Sequence, residues 1–231
     1  MKRVLVAGAS GGIGAACVRA LRTAGCVVSG VDRPEADLGE PGVAERVVAD
    51  AVSRHGGLDG VVHAIGMSGR RLGDGPLEHC ADEAWETLLQ VNLTSAMWLL
   101  RAAIPALREC GGGSIAIVGS ALARARVDAD FHTVAYAVSK SALEALARVA
   151  AQECAPYGIR VNVAAAGLVD TPMARRALTD DRIGGRLGAL MPLTGRAAHP
   201  GEVADVVSWL LSDSSRLVTG AVIPADGGWA R

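Results

Sequence analysis

Short apolar stretches recur along this chain and alternate with longer stretches of mixed polarity. The apolar stretches are rich in Val, Ile and Ala and only a few residues long, which is typical of buried strands. They lie at residues 4–7, 27–31, 60–64, 114–118, 160–165 and 221–224.

The stretches between them carry apolar residues at helical spacing. Alternating strands and helices predict an α/β fold, a Rossmann-type doubly wound parallel sheet with helices on both faces. No linker or repeat divides the chain, so residues 1–231 are expected to form a single domain. The expected helices lie at residues 13–24, about 43–54, about 81–108, around 135–141, and 202–211.

A glycine-rich turn at residues 8–14 follows the first strand and opens the first helix. Gly8 permits a tight turn, Gly12 lets the backbone approach a diphosphate, and Gly14 allows the helix to pack closely on the strand. The N–H groups at the helix start attract an anion. A turn without a ligand is the alternative, but the strand before it and the helix after it favour a dinucleotide site.

Asp32 ends the second strand, and a short loop follows it. A carboxylate there accepts hydrogen bonds from both ribose hydroxyls of adenosine and repels a 2′-phosphate, which favours NAD. Arg33 comes next, and arginine is the usual partner of that phosphate, so NADP stays the less favoured alternative. For Asp32 itself, the alternative is a solvated charge at a strand end.

Composition narrows the function classes. Half of the 231 residues are hydrophobic and the net charge is −1, so the chain has the core of a globular domain and no strongly charged partner is implied. Aromatic residues make up only 3%, too few for platforms that stack nucleic-acid bases. No uncharged apolar run reaches the length that spans a membrane. Neither a nucleic acid nor a membrane is therefore an expected partner.

The cysteines are scattered along the chain. They show no metal-ligand spacing, so no metal site is expected. Reduced and mostly buried thiols are the default in a cytoplasmic protein, and a cytoplasmic location is expected here. The five residues are Cys17, Cys26, Cys80, Cys110 and Cys154.

Tyr136 and Lys140 stand four residues apart in an Ala-rich helical stretch and so share one helix face. A phenol with a pKa near ~10 is a poor acid–base catalyst at neutral pH. A neighbouring ammonium favours the phenolate, which lowers the pKa of the phenol. The pair is therefore a candidate proton donor and acceptor, although Tyr and Lys at this spacing also occur by chance on many helices.

Taken together, these residues resemble the short-chain dehydrogenase/reductase family, and the resemblance covers nearly the whole chain. It implies a Rossmann-type single domain, a nicotinamide cofactor, and hydride transfer between that cofactor and a secondary alcohol or ketone. It also implies a homotetramer or homodimer. The markers, in chain order, are Gly8-x-x-x-Gly12-x-Gly14, Asn92, Ser120, Tyr136-x-x-x-Lys140 and Thr219-Gly220…Asp226-Gly227-Gly228.

The resemblance implies a catalytic set of four residues. Tyr136 is the general acid–base, and Lys140 lowers its pKa and binds the nicotinamide ribose. Ser120 holds the substrate oxygen, with a turn cap as the alternative role. Asn92 interrupts its helix and positions a water next to Lys140, with a helix irregularity as the alternative.

The resemblance also implies the cofactor-binding residues. Asp37 and Leu38 match positions beside the adenine, and Thr171 matches a contact to the nicotinamide carboxamide. The full set is Gly8, Ser10, Gly12, Ile13, Gly14, Asp32, Asp37, Leu38, Gly66, Tyr136, Lys140 and Thr171.

Some positions depart from the family pattern. His63 stands where the family has Asn, and a core histidine is the preferred interpretation. Residues 121–135, between Ser120 and Tyr136, are about three more than the family has, so a remodelled substrate rim is expected. Arg70-Arg71, and Arg124 with Arg126, lie in loops expected to flank the nicotinamide, where arginines bind an anionic substrate or are simply solvated and paired.

The sequence thus predicts an NAD-dependent oxidoreductase of a small or medium secondary alcohol or its ketone. An NADPH-dependent ketoreductase is the alternative enzyme. A non-catalytic regulator that binds a nucleotide is the alternative from another class.

Overall fold

The structure is a computed structural model that describes residues 1–230. Its core is a six-stranded sheet in which every neighbouring pair of strands is parallel. The strands are β1 (Arg3–Ala7), β2 (Val27–Val31), β3 (Gly60–His63), β4 (Gly113–Ser120), β5 (Ile159–Ala166) and β6 (Val222–Ala225). The predicted doubly wound α/β fold is confirmed.

Helices cover both faces of the sheet. The longer ones are α1 (Gly12–Thr23), α2 (Val43–His55), α3 (Asp82–Leu88), α4 (Ser95–Glu109) and α5 (Val134–Cys154). Three short helices follow β5: α6 (Arg175–Leu178), α7 (Asp181–Gly184) and α8 (Leu187–Leu190). The helix α9 (Pro200–Leu211) leads to the last strand. In the part of the chain that the structure describes, no helix is long and apolar enough to cross a membrane.

The strand order β2-β1-β3-β4-β5-β6 reverses direction beside β1. The chain leaves β1 for β2 on one side and then crosses to β3 on the other side. Ligands of open parallel sheets bind at such a reversal, at the carboxyl ends of the strands. The turn at residues 8–14 lies at this point, directly after β1.

Alternate residues of each strand pack on opposite faces of the sheet. Leu5 and Ala7 belong to the cluster shared with α2, α4 and α5. Val4 and Val6 belong to the cluster shared with α1 and α9. Because both faces are buried, the strands have the continuous apolar character that marked them in the sequence.

The long helix expected over residues 81–108 is interrupted. α3 ends at Leu88, a π-helical segment spans Leu89–Thr94, and α4 begins at Ser95. Such π-helical turns occur frequently at functional sites. Asn92 lies in this segment and is fully buried.

Candidate active site

The turn at residues 8–14 is built from close backbone contacts. The N–H groups of Gly8 and Ala9 donate to the Val31 carbonyl at 2.9 and 3.1 Å, which ties the turn to β2. A Cβ on Gly14 would lie 1.9 Å from the Gly8 carbonyl oxygen, and one on Gly8 would lie 2.8 Å from the Ala64 carbonyl carbon. Gly8 also has a φ of 82°, in the region that favours glycine. The turn therefore tolerates no side chain at either position.

A cavity of about 250 Å³ opens beside this turn. It extends along the carboxyl ends of the first three strands, where the adenosine half of a dinucleotide binds in this class of sheet. Seven of its lining residues are Gly8, Ser10, Asp32, Asp37, Leu38, Ile65 and Gly66. The glycine turn and this cavity together fit a dinucleotide.

Asp32 presents its carboxylate to the cavity. One carboxylate oxygen accepts hydrogen bonds from the Ser10 N–H and hydroxyl, and the other accepts from the Arg33 N–H. Burial raises the pKa of Asp32, but these hydrogen bonds outweigh it, so the pKa lies below its usual value. The group is thus an anion at neutral pH.

The residues after Asp32 close the same cavity. The Arg33 guanidinium lies 3.6 Å from a carboxylate oxygen of Asp37, and the other Asp37 oxygen accepts from the Gly39 N–H. Leu38 lines the cavity, while its side chain is buried in the core. Arg33, the residue that favoured NADP in the sequence, therefore has a carboxylate neighbour within the protein.

The first turns of α5 carry Tyr136 and Lys140. Lys140 is buried, and its Nζ donates to the Val118 carbonyl at 3.0 Å and lies 5.9 Å from the centre of the Tyr136 ring. Burial lowers the pKa of Lys140 to about 8. At pH 7 the ammonium is still mostly protonated, so a positive charge lies beside the phenol.

Ser120 is the last residue of β4 and faces Tyr136. Burial raises the pKa of Tyr136, and a hydrogen bond with the Ser120 side chain lowers it to a smaller extent. The net direction is upward, whereas pairing with Lys140 alone led us to expect a lowered pKa. The sequence showed the nearby ammonium but could not show that loss of solvation around the phenol is the larger effect. The Ser120 oxygen also accepts from the Leu122 N–H at 3.2 Å, so it does cap the following turn.

Asn92 links the π-helical segment to α5. Its carbonyl oxygen accepts from the Met67 N–H at 2.9 Å, and its amide donates to the Ser139 hydroxyl at 3.0 Å. Ser139 in turn donates to the Tyr136 carbonyl at 2.8 Å. Ser139 has no role among the residues proposed from the sequence, yet it is fully buried and joins Asn92 to the backbone of Tyr136.

Gly66 and Thr171 bring two further loops to the site. A Cβ on Gly66 would lie 3.1 Å from Lys140 Nζ and 3.7 Å from the Asn92 carbonyl oxygen. The Thr171 methyl group packs on Gly12, where an added Cβ would lie only 2.5 Å from it. Ile13, next to Gly12, packs against two clusters of the core. The structure thus brings the glycine turn, the start of α5 and the segment after β5 to the same edge of the sheet.

His63 is fully buried at the end of β3. Its Nε2 lies 2.9 Å from the Ser95 hydroxyl, and this hydroxyl donates to the Val91 carbonyl, so Nε2 carries the proton. Burial lowers the pKa of His63 to about 3, and nearby Lys140 adds to the effect. Within residues 1–230, Nδ1 has no hydrogen-bond partner. The residue is a neutral core histidine, as preferred from the sequence.

The rim of the site is held by ion pairs. Asp128 and Asp130, in the lengthened segment before α5, both pair with Arg186 from the segment after β5, and Asp130 also pairs with Arg182 at 2.9 Å. Arg124 pairs with Glu144 at 2.7 Å.

Arg70 donates to the Asp130 carbonyl at 2.7 Å. Two of the arginines singled out in the sequence, Arg70 and Arg124, are therefore engaged by protein groups.

Comparison with known proteins agrees with this geometry. A family model described as enoyl-(acyl carrier protein) reductase matches residues 8–230. A solved short-chain type dehydrogenase/reductase from Mycobacterium ulcerans superposes with a TM-score of 0.92 at 29% identity, covering 99% of this chain and 90% of that one.

The chain belongs to the short-chain dehydrogenase/reductase family. The predicted resemblance and the prediction of an enzyme are both confirmed.

Curated members of the family are similar along most of the chain. An uncharacterized NAD-dependent oxidoreductase of Mycobacterium tuberculosis is 38% identical over 201 residues, which cover 84% of this chain and 70% of that protein. A D-threitol dehydrogenase of Mycolicibacterium smegmatis is 34% identical, covering 99% of this chain and 92% of that protein.

Proposed function

We propose that this short-chain dehydrogenase/reductase is an NAD-dependent oxidoreductase of a small or medium neutral secondary alcohol or its ketone. The observation that carries the proposal is the convergence of Tyr136, Ser120 and Lys140 beside the nucleotide cavity, at the carboxyl end of the sheet. The similarity to dehydrogenases of alcohols supports it.

Each polar side chain has a defined task in the proposed reaction. The Tyr136 hydroxyl donates its proton to the carbonyl oxygen during reduction and accepts a proton from the alcohol during oxidation. The Ser120 hydroxyl hydrogen-bonds the same oxygen and orients it toward Tyr136. The Lys140 ammonium stabilises negative charge that develops on the phenol oxygen. When bound, the nicotinamide ring supplies or accepts the hydride.

Asn92 completes this arrangement. Its buried amide fixes the π-helical segment against Met67 and α5, so the backbone around Tyr136 stays in place. We also propose, as the family resemblance implies, that this segment positions a water near Lys140.

The choice of NAD rests on Asp32. Its anionic carboxylate lines the cavity where the adenosine ribose binds, and a 2′-phosphate there would meet like charge. Asp37 lies near the Arg33 guanidinium and offsets its charge. Similarity to a relative described as NAD-dependent supports the same choice.

The ion pairs of the rim support a neutral substrate. Arg124 is paired with Glu144, Arg186 with two aspartates, and Arg70 donates to a backbone carbonyl. Cations engaged in this way are poorly placed to bind an acidic substrate.

We also propose that the protein is a cytoplasmic homotetramer or homodimer. The five cysteines are free thiols, as in proteins of a reducing compartment. Val138 and Val149 of α5 are exposed apolar residues, which a partner subunit would cover.

Substitution of Tyr136 tests the function directly. Tyr136→Phe removes the hydroxyl alone, so NADH binding should survive while turnover of a secondary alcohol or ketone falls at least ~10²-fold. Turnover is followed by NADH absorbance, and binding by NADH fluorescence. Tyr157→Phe is the matched control, because Tyr157 is the other tyrosine of the chain and is 44% exposed. A Tyr136→Phe enzyme as active as the control would contradict the proposal.

A further inference from the structure

The first turn of α5 is capped by a distant loop and not by its own N-cap residue. Thr133 precedes the helix and makes no side-chain cap hydrogen bond, and the first turn carries no acidic residue. The first N–H groups of any helix lack intrahelical acceptors. In α5 the intrahelical bonds begin with the Ala137 N–H, which donates to the Thr133 carbonyl at 3.0 Å. The three N–H groups before it need acceptors from elsewhere.

Asp74 and Gly75 supply those acceptors. The Val134 N–H donates to the Gly75 carbonyl at 3.1 Å. The Ala135 and Tyr136 N–H groups donate to the two carboxylate oxygens of Asp74, each at 3.0 Å. One carboxylate thus holds the backbone of Tyr136 and of the residue before it, across 62 and 61 positions of sequence.

The Asp74 carboxylate is fixed by its own surroundings. The residue is 5% exposed, and its N–H donates to the Gly69 carbonyl at 3.0 Å. Gly69 packs so tightly that an added Cβ would lie 2.9 Å from Asp74 Cβ and 2.6 Å from Leu88 Cδ1. A carboxylate at a helix N-terminus also interacts favourably with the helix dipole. The loop that contains Gly69, Asp74 and Gly75 is therefore well fixed where it caps α5.

We propose that Asp74 is a positioning residue of the reaction, which orients Tyr136 through the backbone of α5. The inference rests on the proposed role of Tyr136 as proton donor and acceptor. Tyr136 occupies the third helical position, so a frayed first turn would move its hydroxyl away from Ser120. A displacement of about 1 Å in an active site costs on the order of 10²-fold in rate.

Two substitutions of Asp74 test the proposal. Asp74→Ala removes both acceptors, and Asp74→Asn keeps the shape but turns an amide donor toward a backbone N–H. Both should lower kcat by about 10- to 100-fold, with the dissociation constant for NADH changed by less than about twofold. In wild type, the amide hydrogens of residues 134–136 should exchange slowly, and both variants should exchange them at least about tenfold faster.

A matched control separates positioning from general stability. The Asp59 carboxylate accepts from the Arg3 N–H and guanidinium at 2.7 Å, at the opposite end of the sheet. Asp59→Ala should lower Tm without lowering kcat. If both Asp74 variants lower Tm but keep kcat within about twofold of wild type, Asp74 is only structural and the proposal is overturned.

A second substitution that supplies a new helix cap should rescue the Asp74→Ala variant. Thr133→Asp, added to Asp74→Ala, places a carboxylate at the N-cap of α5, where it can accept from the N–H groups that lost their partner. It should restore slow exchange at residues 134–136 and recover kcat by at least about fivefold. Restored protection without recovered kcat would overturn the inference. Wild-type protein without turnover on alcohols and ketones would instead overturn the proposed function, and this inference with it.

Discussion

The glycine turn at residues 8–14 and the substrate rim are both loops at the carboxyl ends of strands, yet they are held in different ways. The turn is fixed by backbone contacts within a short stretch, such as Gly14 against the Gly8 carbonyl. The rim is fixed by side chains far apart in sequence, such as Asp130 with Arg182.

This difference explains which region could be interpreted from the sequence. Steric constraints on glycine act locally and leave a recognisable spacing. Polar contacts between distant loops leave no spacing at all, because the fold alone brings the partners together. The comparison also predicts that a single substitution impairs cofactor or substrate binding most when it lies in the turn and least when it lies in the rim.

Gly14→Ala should have the largest effect among the changes outside the proposed catalytic residues. Its Cβ would lie 1.9 Å from the Gly8 oxygen, so the turn must move, and NADH affinity should fall by about 100-fold or more. Fluorescence titration with NADH measures the effect.

Gly201→Ala is the matched control, since Gly201 lies in α9 with no heavy atom within 4 Å of an added Cβ. It should leave binding unchanged and preserve or slightly raise Tm. Equal NADH affinity in both variants would show that the turn is not fixed by backbone packing.

Asp32→Ser should have an intermediate effect, limited to cofactor choice. Wild type should prefer NAD(H) over NADP(H) in kcat/KM by about tenfold or more, because the Asp32 carboxylate repels a 2′-phosphate. The variant should narrow that ratio, measured with both cofactors at one substrate concentration.

Glu35→Ser serves as its control, because Glu35 is an exposed acid of the same loop. It should leave the ratio unchanged. A wild-type enzyme that uses NADP(H) equally well would refute the assignment of NAD.

Arg186→Ala should have the smallest effect on the chemistry. It removes the pairs with Asp128 and Asp130, and partly exposed ion pairs contribute little to stability. Tm should fall by a few degrees, and KM should rise by about two- to fivefold with kcat little changed, because the segment after β5 loses its tie to the rim.

Arg175→Ala is the control on the same segment, since Arg175 is exposed. Its KM should match that of wild type. Identical KM values in the two variants would mean that the ion pairs do not shape the substrate site.

The sequence by itself determined the strands, their parallel arrangement in the sheet, the glycine turn and the identity of the family. These features depend on local sterics, on the period of apolar residues, and on spacings such as that between Tyr136 and Lys140. All of them can be read directly from the amino-acid sequence. The family resemblance also indicated the four catalytic positions, whose roles remain predictions.

The tertiary structure decided what depends on distance through space. It reversed the expected direction of the Tyr136 pKa shift, because burial of the phenol outweighs its neighbours. It placed Ser139 between Asn92 and Tyr136. It also brought Asp74 to the start of α5. Burial of a side chain and hydrogen bonds between distant residues exist only once the chain has folded, so no local pattern could have predicted them.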